Sequence, residues 1–231
     1  MKIKYISHSG FIIENSTFAL MIDCCGLTAK SPEVTVLANK NLYILASHFH
    51  GDHFDPAIMS FDNGHCKWIL SKEIRRKISV NANVHFLAKG DIFQDENVKI
   101  KAYGSTDVGI SFFIEACGRK IFHAGDLNNW HWIDEETPTD AAKNEKFFLD
   151  ELAEISAQID MLDIAMFPVD PRLGKEYKRG AEQFLDSIKT GLFVPMHFWD
   201  DYGAANAFKP YAEKKGCRFA EIKTKGDEFK L

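Results

Sequence analysis

Apolar residues recur along this chain at two spacings, strand-like through the first half and helix-like past the midpoint. Residues 3–7, 11–14 and 18–23 are short apolar runs separated by Ser9-Gly10 and Asn15-Ser16, a pattern that predicts antiparallel strands joined by tight turns. Further apolar runs predict strands over 42–47, 68–70, 84–87, 98–103, 110–115, 120–123, 164–169 and 192–196. Thr137-Pro138-Thr139-Asp140 then supplies a cap, a proline at the first helical position and an acid in the first turn. Downstream, Phe148, Leu152, Ile155 and Ile159 fall at helical spacing, which predicts a helix of about five turns with one apolar face laid on a sheet. Two more helices are predicted over 181–189, ending near Gly191, and over 204–215, ending at Gly216, with Pro210 kinking the second.

Several of these strands run into a polar side chain. The run 42–46 leads to His48, 120–125 to Asp126, 164–169 to Asp170 and 192–196 to His197. Layered α/β domains assemble sites in this way, from groups at the carboxyl ends of buried strands, so the site is expected along one edge of the sheets.

Length and composition narrow the setting. No Pro/Gly/Ser-rich linker or shift in composition divides the 231 residues, so one domain is expected over 1–231, and a 45% hydrophobic content is enough for a substantial core. The formal net charge of −5 argues against a broad nucleic-acid footprint. The local basic run 72–77 reads as a solvated helix face. The chain enters strand-like sequence directly after Met1 and has no apolar run of bilayer-spanning length, so the expected address is cytoplasmic, without membrane partners. Five cysteines, an odd number with no C-x-x-C pair, suit reduced thiols better than a disulfide framework.

The densest chemistry lies in Ser47-His48-Phe49-His50-Gly51-Asp52-His53. On extended backbone alternate side chains share a face, so His48 and His50 can grip one ion while the turn at Gly51 swings Asp52 and His53 towards a second. A polar loop that merely solvates a strand end is the competing reading, and the ligand density disfavours it. Asp126 alone reads as a turn residue, and His197 alone as a histidine near the core.

Taken together, the H-x-H-x-D-H run at His48 to His53, Gly125-Asp126 after a strand, the late His197 and the opening His8-Ser9-Gly10-Phe11 resemble the metallo-β-lactamase superfamily. The opening is similar to that of small single-domain, ascorbate-6-phosphate lactonase-like hydrolases. The resemblance covers nearly the whole chain and implies a four-layer αβ/βα sandwich with a dinuclear metal centre between the sheets. It further implies His48 and His50 on the first metal, Asp52 and His53 on the second, Asp126 bridging both, and His197 completing the second site. Zinc is the expected metal, with manganese or iron as alternatives. One family ligand is missing, because the histidine expected near residues 103–109 is absent. Asp107 or another oxygen donor takes its place, His131 reaches in, or only the second site fills strongly. A carboxylate there would harden the site and shift preference from zinc towards manganese or iron.

The chemistry implied is hydrolysis by a metal-bound hydroxide, since a zinc site brings the pKa of its water to about 7. Asp52 and Asp126 are the expected catalytic carboxylates, the first orienting the nucleophile and the second holding charge between the ions. The expected substrate is a small ester, lactone or phosphoester. The alternative is a metal-binding or ligand-sensing protein on the same scaffold with little turnover. His8, Asn128, Trp130, His131, Asp170 and Trp199 are the candidate pocket residues. Trp130 and Trp132 read equally as substrate wall or as core aromatics. Arg172 reads as a surface residue or as a ligand for a substrate anion. His123 is expected to support the ligands by hydrogen bonding. Oligomeric state is not legible.

Overall fold

The computed structural model describes residues 1–62, 64–78 and 83–230. Two seven-stranded sheets face one another. The first is built from β1 (Lys2–Ser7), β2 (Gly10–Glu14), β3 (Phe18–Ile22), β4 (Asn41–Ala46), β5 (Cys66–Ser71) and β6 (Val84–Leu87). The second holds β7 (Ile92–Gln94), β8 (Val98–Tyr103), β9 (Ser111–Ala116), β10 (Arg119–His123), β11 (Met161–Pro168), β12 (Lys189–Met196) and β13 (Arg218–Phe219). The chain then returns to pair β14 (Glu228–Lys230) antiparallel with β1, at the edge of the first sheet.

Alternation along the first sheet sorts its side chains into two cores, because successive residues of a strand point to opposite faces. Ile3, Tyr5, Phe11, Ile13, Phe18, Leu20, Ile22, Tyr43 and Leu45 face the second sheet and share a core with Ile100, Phe112, Ile114 and Ile121. Ile12, Ala19, Met21, Leu42, Ile44 and Ala46 face outwards, where Val34 of α1 (Pro32–Thr35) and Ile58, Phe61 and Ile74 of short single turns cover them. On the far side of the second sheet, α2 (Pro138–Ser156) lays down Phe148, Leu152 and Ile155, beside α3 (Arg179–Ser187) with Phe184. The result is the four-layer αβ/βα sandwich of the metallo-β-lactamase fold. Among the described residues no helix is long and apolar enough to cross a membrane.

The α2 start is as the sequence predicts: the Thr137 side chain accepts from the Asp140 amide, with Pro138 in the first turn. Two other helices differ from expectation. The one predicted over 181–189 begins earlier and stops at Ser187, because Ile188 is already extended and buried and Lys189 opens β12. The one predicted over 204–215 is two helices, α4 (Tyr202–Asn206) and α5 (Lys209–Lys214), rather than one kinked rod. Pro210 sits in the first turn of α5, where its missing N–H breaks no helical bond, and the break turns Phe208 onto Phe193 at 4.8 Å between ring centroids. The run 72–77 is a single 3-10 turn with Ile74 buried and Lys72, Arg75, Arg76 and Lys77 exposed.

Strand direction gathers the polar strand ends. β3, β4 and β5 are parallel, and β1 runs the same way, being two antiparallel steps from β3. In the opposite sheet β10, β11 and β12 are parallel. Backbone bonds join the two sheets where these strands end: the His197 amide donates to His8 O (3.1 Å) and the Ile110 amide to Ser47 O (3.0 Å).

Candidate metal centre

At this seam, eight side chains from both sheets form two donor groups, in each of which the ligand atoms lie within 4.8 Å of one another. One group is His48, His50, Asp107 and Asp126; the other is His8, Asp52, His53 and His197. Asp126 faces both. Its Oδ2 is 3.4 Å from His48 Nε2, while its Oδ1 is 3.0 Å from His53 Nε2 and 3.3 Å from His197 Nε2. Asp107 Oδ2 lies 3.6 Å from His50 Nδ1, and Asp52 Oδ2 lies 3.3 Å from His8 Nε2.

Buried hydrogen bonds aim the imidazoles. His53 Nδ1 donates to Asp23 Oδ2 (2.8 Å) and His197 Nδ1 to Asp170 Oδ2 (2.9 Å). The Ser47 hydroxyl donates to Asp23 Oδ2 (2.6 Å) and is free to accept from His48 Nδ1 (3.0 Å). With each Nδ1 so engaged, each Nε2 presents a lone pair to the centre. Despite the short separations, His8 Nε2, His48 Nε2, His53 Nε2 and Asp126 Oδ1 are buried without hydrogen-bond geometry to any partner. Buried polar atoms are rarely left so, and a ring of lone pairs around ionised carboxylate is the donor chemistry of a divalent cation site. The residues present therefore fit the metal ions that the fold implies.

The electrostatics agree. Burial drives the His48 imidazole down to about 4, and His53 beside it pushes the same way. Burial also acts against ionisation of Asp126, but His197 and His53 outweigh it and hold the carboxyl well below its usual range. Contact with His8 holds Asp52 far down as well. For His53, burial opposes protonation, yet Asp126 and Asp23 raise it well above its ordinary value. In the metal-free protein a proton thus occupies ground that a cation would contest.

Positive-φ backbone concentrates around these groups. Of seven non-glycine residues with positive φ among those described, His8, Asp23, Trp132, His197 and Trp199 all lie at or beside the centre. Gly109 has φ of +90°, and a Cβ there would lie 2.1 Å from Ser47 O and 2.6 Å from His48 Cβ. Gly109→Ala is accordingly expected to push the Ser47–His48 backbone away, destabilising the fold by about 2–4 kcal/mol and lowering metal content; denaturant unfolding and elemental analysis would check both.

The remaining expected residues separate into wall and support. Trp130 and Trp199 line a pocket of about 480 Å³ over the centre, with Trp132, Phe147, Thr106 and Arg172. The Trp130 indole N–H also donates to Asp126 O (2.8 Å), so this ring is both wall and brace. Asn128, His131 and Asp170 stand behind that wall. Asn128 is fully buried and turned towards α3, where a Cβ on Gly180 would fall 2.0 Å from its Oδ1. His131 spends both ring nitrogens on the backbone, Nε2 towards Glu176 O (3.2 Å) and Nδ1 towards the Ile133 amide (3.1 Å). Asp170 is buried beneath His197. His8 belongs to a donor group rather than the pocket lining. His123 donates from Nε2 to Ser9 O (2.8 Å) and accepts the Gly125 amide at Nδ1 (3.1 Å), bracing the turn that carries Asp126.

Sequence reasoning passed over Asp23, although it ends an apolar strand as the other acids do. Its carboxylate accepts from the Ser47 amide and hydroxyl and from His53 at once. Asp23→Asn is expected to weaken metal binding by about 10- to 100-fold, because the amide N–H₂ would confront His53 Nδ1 or Ser47; competition with a chelating indicator would measure it.

No family model matches the chain. A UPF0173 metal-dependent hydrolase of Nanoarchaeum equitans is 25% identical over 240 residues, covering 100% of each chain. Among solved structures, the novel metallo hydrolase Igni18 of Ignicoccus hospitalis superposes with a TM-score of 0.69 at 19% identity, covering 100% of this chain and 98% of its own. The metallo-β-lactamase fold protein YhfI of Bacillus subtilis superposes at 0.63 with 10% identity, covering 99% and 98%. With its paired sheets and strand-end donor groups, the chain has the metallo-β-lactamase fold and is similar over its full length to the UPF0173 metal-dependent hydrolases.

Proposed function

We propose that this protein is a metal-dependent hydrolase of small esters, lactones or phosphoesters, and that its two donor groups each hold a divalent cation. The observation that carries the reading is Asp126, whose Oδ2 faces His48 Nε2 and whose Oδ1 faces His53 Nε2 and His197 Nε2, the Nε2 atoms of His48 and His53 being buried without a hydrogen-bond partner. His48, His50 and Asp107 would complete one site, and His8, Asp52, His53 and His197 the other. The first site has two carboxylates against two imidazoles, a harder donor set that admits manganese or iron beside zinc. Metal ions held there would acidify bound water to a pKa of about 7 and polarise the oxygen under attack.

The chain's own groups supply the rest. Asp52 is ionised at neutral pH and one-third exposed towards the pocket, so its carboxylate is placed to accept a hydrogen bond from the attacking water and orient it. Trp130, Trp132, Phe147 and Trp199 give the pocket apolar walls against which the uncharged part of a small substrate can pack. The pocket volume suits a small molecule rather than a polymer.

The test is a panel of esters, lactones and phosphoesters, run on protein purified without chelator, on chelator-treated protein and on Asp52→Ala. Turnover that chelation removes, added zinc, manganese or iron restores, and Asp52→Ala loses is the expected result. Bound metal with no turnover on any member would overturn it in favour of a ligand-sensing role.

A further inference from the structure

We infer that Arg172 and the rings around it form a subsite for an anionic group, so that the substrate carries a negative charge apart from the bond that is cleaved. This inference deepens the hydrolase reading above and rests on it. Arg172 follows β11 on the turn Pro171–Glu176 and reaches the wall of the pocket over the metal centre. One edge of its guanidinium is anchored: Nε donates to both oxygens of the buried Asp170 (3.0 Å each), and Nη2 donates to Oδ2 (2.6 Å). Its flat faces are held by aromatic rings, with Cζ 4.6 Å from the Trp199 centroid and 5.8 Å from that of Trp132.

That leaves an edge unspent. A guanidinium has five N–H donors in a planar fork, and Nη1 has no hydrogen-bond partner among the described residues while the side chain stays 45% exposed. Arg172 is also the one lysine or arginine among the described residues lining this pocket. The anchoring matters because a fork already fixed by a carboxylate and two indoles loses little conformational entropy when a ligand's carboxylate or phosphate meets its free edge. Asp52, Asp126 and Arg172 line the same pocket of about 480 Å³, so the subsite and the metal centre lie within the span of one small molecule. Arginine serving only to prop Asp170 beneath His197 is the competing account, and the two differ in what they do to selectivity.

The test compares wild type with Arg172→Met and Arg172→Lys in two ways. In the first, phenylacetate and its neutral analogue phenylacetamide are titrated into chelator-treated protein and binding is followed by tryptophan emission. In the second, kcat/KM of the metal-loaded protein is measured for 4-nitrophenyl acetate and for the anionic 4-nitrophenyl monoester of succinic acid. Arg172→Met is expected to lower the preference for the anionic partner about 10- to 100-fold in both arms, the loss of one charge-assisted hydrogen bond or pair. Arg172→Lys should retain part of the preference, since it keeps the charge without the fork. If Arg172→Met does not fold, Arg172→Lys decides alone, because it preserves an ion pair to Asp170: a selective loss supports the subsite. Equal losses on neutral and anionic partners, or no loss, would overturn it. Absence of turnover on either ester by wild type would fell the hydrolase reading instead, and the binding arm would still decide the subsite.

Discussion

Asp126→Ala protein is expected to lose metal from both donor groups at once, and with it all metal-dependent turnover. The reason is geometric. Asp126 Oδ2 faces His48 at 3.4 Å and Oδ1 faces His53 and His197 at 3.0 and 3.3 Å, so a single truncation removes an anionic oxygen from each set. What remains is Asp107 with His48 and His50 on one side and Asp52 with His8, His53 and His197 on the other, each set short of one anionic oxygen and so a weaker ligand set for a cation. The affinity loss should exceed the roughly 10- to 100-fold expected of a supporting group. His50→Ala provides the contrast, because it touches only one set and should reduce metal content without emptying both. Elemental analysis of the two variants, alongside turnover, makes the comparison; wild-type stoichiometry in Asp126→Ala would refute the bridging assignment.

Phe167→Ala is expected to cost the fold about 3–5 kcal/mol. Phe167 is fully buried in β11, with Phe184 at 4.5 Å, Phe148 at 6.3 Å and Phe193 at 6.4 Å between ring centroids. Its ring joins α2 and α3 to the second sheet, and truncation leaves a cavity that these neighbours, themselves packed on other rings, fill only in part. For a chain of this length the loss corresponds to a fall in Tm of roughly 10 °C. Asp170 lies three residues beyond, so the looser strand should also free His197. Thermal unfolding and metal content would be measured together, and a change below about 1 kcal/mol would show that the site repacks.

The order of the elements and the identity of most donors were legible in the chain. Runs such as Leu42 to Ala46 are apolar because they are buried on both faces, and burial is a local demand that leaves a local trace. His48, His50, Asp52 and His53 stand together for a similar reason: one turn of backbone brings them into reach of one another without help from elsewhere. The short elements were not legible. Ile92–Gln94, Arg218–Phe219 and Glu228–Lys230 are strands only because a neighbouring edge offers backbone partners, and their own side chains carry little pattern.

The tertiary structure decided which polar groups meet, and on which side of the wall each stands. Asp126, Asp170 and Asp23 look alike in the chain, each an acid at the end of an apolar strand. Their different surroundings come from sheet-on-sheet register, which puts Asp126 between two sets of imidazoles, Asp170 beneath His197, and Asp23 beneath Ser47 and His53. His8 and Asp107 enter the donor groups for the same reason, across separations that no periodicity records. Local sequence sets strand, turn and residue type, because those depend on near neighbours and burial. Convergence depends on how two sheets twist and pack, an outcome distributed over the whole core and written at no single position.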